Sequence, residues 1–238
     1  SGFAHLNRMI FSSEFLAPGL AVLDSRLARA RKGILMAATG LAALGRAVES
    51  HVSADRNPFQ KAYSFAAVRF VRENLPAAVA DPGNKKAALA VLNAAAMSGC
   101  AFSNAASGRL HKLGQVFYEL LGIPQGVIMG MCLSRVLEDG FREGSCDPAA
   151  LLQPLAGDDA FARTPAGKRA EAALALLNRF LEELRGALGK DLPKSLSEAG
   201  VSGYRKEEIL DVLGKDEDGH YLRGVVEGMA GGKRERKG

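Results

Sequence analysis

The chain predicts an all-α fold, a multi-helix bundle with one short β-strand or hairpin near its N-terminus. Three observations carry this. Ala and Leu dominate while aromatics make up 6% and Trp is absent, a mix that favours helix over strand. Apolar residues recur at helical spacing along most of the chain. Helix start and stop residues bracket those stretches.

Each element has its own signal. Gly19-Leu-Ala-Val-Leu-Asp24 is a short apolar run between Pro18 and Asp24 and reads as a strand, with Arg8–Phe11 as a possible partner. Asn57-Pro58 starts a helix, Asn as cap and Pro in its first position. Phe59, Ala62, Ala66, Arg69, Phe70 and Glu73 repeat along it until Leu75-Pro76 is expected to interrupt it. Asp81-Pro-Gly-Asn84 is a turn. From Lys85 to about Ala106, Leu89, Leu92, Ala95 and Ala96 suggest a nearly apolar helix buried all round. Gly108–Leu121 is the next helix, ended by Gly122. Pro124 restarts a helix that runs to about Glu143. Asp147-Pro148 caps a short helix. Thr164-Pro165 is expected to cap a long one whose stripe is Leu174, Leu177, Leu181, Leu184 and Leu188. Lys206–Leu213 follows as a helix.

Length and composition set limits. At 238 residues, 47% hydrophobic and 24% charged, the chain is an ordinary globular sequence. Residues 1–232 are expected to form one helical domain, and 233–238 a basic disordered tail. The net charge of +5 owes much to that tail, and no nucleic-acid reader motif accompanies it, so no nucleic-acid partner is expected. No apolar run reaches the roughly 20 residues of a membrane span, and no signal-peptide pattern is present, so the expected location is the cytoplasm. Cys100, Cys132 and Cys146 form no CxxC pair; Cys100 and Cys132 are expected as reduced core residues. His51 and His220 sit in polar contexts and carry no assignment.

The functional signal lies between Thr39 and Gly126. Thr39-Gly-Leu-Ala-Ala-Leu-Gly-Arg-Ala-Val-Glu-Ser50 is followed by Ala101-Phe-Ser-Asn-Ala105, then His111, then Gly122-Ile-Pro-Gln-Gly126 with Gln125 fourteen residues after His111. This order closely resembles the C-terminal helical domain of the iron-containing (group III) alcohol dehydrogenases, in the dehydroquinate synthase-like superfamily. The resemblance covers about Phe15–Gly203. It implies four metal-ligand positions, an Asp and three His, which here are Ala42, Arg46, His111 and Gln125. It also implies a proton-relay His, here Gln115. Family members use NAD(P) and a divalent metal, Fe or Zn. They carry an N-terminal nucleotide-binding domain with a glycine-rich turn, which is expected to be absent from this chain.

The substitutions bear directly on that chemistry. Ala42 offers no lone pair, and Arg46 is a permanent cation that repels a dication. Gln125 offers a weak neutral oxygen, and Gln115 cannot relay a proton near neutrality. One ligand of four survives, so neither bound metal nor cofactor is expected, and no catalytic residue is assigned. The leading expectation is a degenerate, non-catalytic family domain acting by binding or assembly, as a homodimer or with a partner protein covering its cleft face. One alternative is a fragment of an NAD(P)-dependent oxidoreductase that works without metal and receives its nucleotide-binding domain separately. Another is a small-anion binder in which Arg46, His111, Gln115 and Gln125 share a pocket. Against that pocket stands the plainer reading: Arg46 turned outward or paired with Glu49 or Glu119, and His111 satisfied within the core.

Overall fold

The computed structural model of the 238-residue chain describes residues 13, 16, 18–26, 33–53, 57–103, 108–201, 207, 209–212 and 219–229. Its helices are α1 (Gly33–Val52), α2 (Pro58–Ala80), α3 (Lys85–Phe102), α4 (Arg109–Leu121), α5 (Gln125–Arg142), α6 (Leu152–Ala156), α7 (Asp158–Arg163), α8 (Arg169–Leu188) and α9 (Gly219–Met229). Short 3-10 turns cover Pro148–Leu151, Ala166–Lys168 and Gly189–Asp191. The expected all-α architecture is what forms.

Helix α1 is the axis of the bundle, packed by α2, α3 and α5. Its inner face carries Met36, Ala37, Leu41, Leu44, Ala47 and Val48, all buried. The helices approach closely because glycines stand at the crossings. A Cβ on Gly40 would meet the Leu75 side chain at 2.5 Å, and one on Gly130 would meet Leu41 at 2.7 Å. At Gly126 an added Cβ would overlap the Ala38 carbonyl oxygen, so α5 rests on the α1 backbone itself. Helix α8 closes the other side of α1 and α2 with Ala173, Leu177, Phe180, Leu181 and Leu184 buried. Helix α9 docks on α5 through the Met229 sulfur, 3.1 Å from Cys132 Sγ.

Several expectations need correction. Gly19–Leu23 is exposed and Gly19–Asp24 is not a strand, and no strand occurs among the described residues that could pair with it. Arg8–Phe11, Asn104, Ala105, Lys206, Leu213 and the 233–238 tail lie outside the described residues. Pro76 does not end α2; the helix continues to Ala80, because Leu75, Ala78 and Val79 are buried against the bundle and compensate the hydrogen bond that proline forfeits. Helix α3 is buried on one face only. Ala87, Ala88, Val91, Ala94, Ser98 and Ala101 point inward, whereas Leu89 and Ala96 are exposed. Cys100 shares that outer face, so it is exposed rather than in the core; Cys132 is buried as expected. Thr164 closes α7 through a bond to the Ala160 carbonyl, and a 3-10 turn separates it from α8. His51 is buried, with Nδ1 2.9 Å from Ser64 Oγ and Nε2 3.1 Å from the Ala150 carbonyl.

The capping signals are borne out at both ends of the central segment. Asn57 Oδ1 accepts from Gln60 N at 2.8 Å, and Gly122 closes α4 with φ of 68°, in the left-handed region. Asn57→Ala is expected to lower stability by about 1 kcal/mol, read as a fall in Tm of about 2–4 °C.

Candidate functional site

Thr39, Ala42, Arg46 and Glu49 are spaced three and four apart, so they share one face of α1. That face looks toward the start of α4 and the start of α5. Gly108, at the α4 N-cap, has no side chain to cap the helix with. Glu49 does so from α1: Leu110 N donates to Oε1 at 2.6 Å and His111 N to Oε2 at 3.2 Å. A Cβ on Gly108 would overlap that carboxyl group, so glycine is what lets α1 cap α4.

Past the turn at Gly122, Pro124 sets Gln125 at the first position of α5. The Gln125 side chain runs alongside Gly114, where an added Cβ would lie 2.5 Å from Gln125 Cγ. Arg46 Nη2 donates to Gln125 Oε1 at 3.3 Å, and Gln125 Nε2 lies 2.9 Å from His111 Nδ1 and 3.4 Å from the His111 carbonyl. Guanidinium is a donor only, so it fixes the amide with its oxygen toward Arg46 and its NH2 toward His111. His111 Nδ1 is therefore the acceptor. The His111 ring also packs on Phe102, with centroids 4.6 Å apart.

Three of the expected residues thus meet. Arg46 turns toward Gln125 and His111 rather than away from them. Gln115 sits half-buried one turn further along α4 and makes no hydrogen bond to the other three. Ala42, half-buried one turn before Arg46, packs at the edge of the core. A mostly apolar cleft of about 570 Å³ adjoins Gln125, lined also by Leu35, Ala38, Thr39, Tyr118 and Pro124.

This donor set does not fit a divalent metal. It comprises one imidazole whose Nδ1 is engaged by an amide, one neutral carboxamide and one permanent cation. Among the described residues no group of three or more His, Cys, Asp or Glu side chains could hold a metal ion. No helix of the described residues is long and apolar enough to cross a membrane.

Glu49 is the strongly titrating group here. Burial pushes its carboxyl from the ordinary 4.5 up to about 7, against the two amide hydrogen bonds that pull it down. The folded chain therefore holds this proton between about 4.5 and 7 where the unfolded chain has released it. Stability from this group is full below about 4.5, declines as pH rises through 7, and is level above that. The decline is expected to be about 3 kcal/mol, read as a widening Tm gap in favour of Glu49→Gln between pH 5 and pH 8.

Comparison with known proteins follows the same line. A sequence model of the C-terminal part of the Fe-containing alcohol dehydrogenase family matches residues 36–213. The 1,3-propanediol dehydrogenase of Citrobacter freundii is 35% identical over 119 residues, covering 50% of this chain and 31% of that protein. Long-chain-alcohol dehydrogenase 1 of Geobacillus thermodenitrificans (strain NG80-2) is 29% identical over 210 residues, covering 87% and 49%. Among solved structures, a 1,3-propanediol oxidoreductase superposes with a TM-score of 0.73 at 25% identity, covering 87% of this chain and 54% of that one. A sulfoacetaldehyde reductase from Bifidobacterium kashiwanohense, solved with NAD+, shares the fold with a TM-score of 0.67 at 16% identity. The chain spans about half the length of these relatives, or less.

Proposed function

The chain belongs to the Fe-containing alcohol dehydrogenase family through its C-terminal part, and on that footing we propose that it acts by binding or assembly rather than by metal-dependent hydride transfer. One observation carries the reading. At the positions that hold metal ligands in the family it resembles, hydrogen bonds run from Arg46 through Gln125 to His111. The guanidinium contributes the positive charge of this junction, and its donor-only chemistry sets the direction of every bond in the chain. The exposed apolar residues Leu35 and Tyr118, beside the cleft, supply a surface that a partner or second copy can cover.

The test is elemental analysis of protein purified without chelators, alongside light scattering on a sizing column. Zinc and iron are expected below about 0.1 per chain, with no change in Tm on adding a chelator. Stoichiometric metal overturns the reading. A clean monomer that takes up no partner removes its assembly half.

A second reading is favoured by the relatives themselves, which are named as dehydrogenases and are matched over half their length or less. In it, this chain is one part of an NAD(P)-dependent oxidoreductase whose other part binds the nucleotide, with Arg46 polarising a carbonyl in place of a metal. It predicts alcohol-dependent NAD(P)H formation that appears only when both parts are present and survives chelation.

A further inference from the structure

Among the described residues, Arg72, Arg135 and Arg185 each keep a buried guanidinium nitrogen without a hydrogen-bond partner. Arg135 is neutralised by Asp139 and Arg185 by Glu182. Arg72, half-buried in the middle of α2, has no such partner. It makes no hydrogen bond or ion pair with the described residues, and its guanidinium carbon stands 5.3 Å over the Phe180 ring of α8. The acids nearby are engaged elsewhere. Glu73 accepts from Arg69 Nε at 2.8 Å, and successive helical residues do not face each other. Asp158, whose charge reaches Arg69, accepts from Gln153 Nε2 at 2.9 Å.

Arg72 lines a cavity of about 290 Å³ together with Arg69, Glu73 and residues 154–157, where α6 gives way to α7. It shares no residue with the cleft beside Gln125. We propose that this cavity is a binding site for a small monocarboxylate, gripped by the Arg72 guanidinium. The inference stands apart from the assembly reading. A half-buried cation without a counterion is costly, and an anion entering the cavity removes that cost. Guanidinium offers parallel N–H groups that match the two oxygens of a carboxylate. Two cations and one anion line the cavity, so a single negative charge balances it and a dianion overloads it. The volume lies at the small end of ligand sites, and Pro154 and Leu155 give a short alkyl tail somewhere to rest.

The test titrates the 238-residue chain, labelled at arginine and backbone nitrogen, with butyrate and with sulfate at constant ionic strength. Nuclear magnetic resonance is recorded at about pH 6.5, where carboxylates are ionised. The Arg72 Nε–H signal, assigned by its loss in Arg72→Met, should shift and saturate with butyrate at a Kd of about 1–10 mM. Sulfate, a dianion, should bind at least about 5-fold more weakly. Arg72→Lys keeps the charge without the paired donors and should lose at least about 10-fold, read on the amides of Leu155, Ala156 and Gly157. Glu73→Gln removes the anion from the rim and should tighten binding about 3-fold. All three variants should melt within about 2 °C of the parent, since Arg72 holds no hydrogen bond and Glu73 only a surface pair. No saturable shift with butyrate up to about 50 mM overturns the proposal. Butyrate saturating the same amides in folded Arg72→Met places the anion elsewhere and overturns it too. Sulfate binding as tightly as butyrate overturns the assignment to a monocarboxylate.

Discussion

Replacing Ala42 by Asp, Arg46 by His and Gln125 by His together is expected to give a chain that holds about one zinc ion per molecule. The Gln125 side chain already lies within hydrogen-bonding distance of both Arg46 and His111, and position 42 is one turn from position 46 on the same face of α1. The variant would present one carboxylate and three imidazoles, a donor set that a borderline dication accepts. Affinity should rise at least about 1000-fold, equivalent to about 4 kcal/mol. At a free zinc concentration of about 100 times Kd, the folded state gains about 2.7 kcal/mol, a rise in Tm of about 5–10 °C. Ala42→Asp with Gln125→His, leaving Arg46 in place, should gain far less, because the guanidinium stays in the cavity. A folded triple variant without zinc would mean that this backbone does not hold the four positions in a ligating geometry.

The second large effect is structural. Gly126→Ala is expected to cost more than about 4 kcal/mol and to lower Tm by more than about 10 °C. The new Cβ would overlap the Ala38 carbonyl oxygen, lie 2.6 Å from its carbon and 3.0 Å from its Cα. Every one of those atoms is α1 main chain, so no side chain can swing away and the helices themselves must separate. Gly186→Ala, with nothing within 4 Å of its Cβ, is the control. It should gain about 0.5–1 kcal/mol from helix propensity. Thermal melts of the two variants should therefore move in opposite directions.

Where the helices begin and end was largely legible, because caps are local. Asn57-Pro58 and Gly122-Ile-Pro124 announce themselves without reference to anything distant. Which face is buried was not legible for α2 and α3. The stripe that stands out in α2 starts at Phe59, which is 75% exposed, while Gln60 and Ser64 on the other side are buried. In α3 the eye falls on Leu89, and the core takes alanines and Ser98. In α3 small residues win much of the interior because the helices nearly touch, so Leu89 marks the outside. Pro76 was misread for a related reason: the burial of Leu75 outweighs a lost hydrogen bond, and burial is not visible one residue at a time. At the site, family resemblance located Arg46, His111 and Gln125, but the bonding between them depends on the amide orientation. The capping role of Glu49 depends on α1 and α4 meeting across 61 residues of chain, beyond the reach of local pattern.

The closeness of α1 and α5 has a mechanical consequence. Gly126 and Gly130 seat α5 on the Ala38 main chain and on Leu41, and Ala38 lies one turn before Ala42 on the same face of α1. The seam that joins the two helices therefore adjoins the positions that carry the site, so a change that pries α5 off α1 is expected to shift Gln125 relative to Arg46 as well.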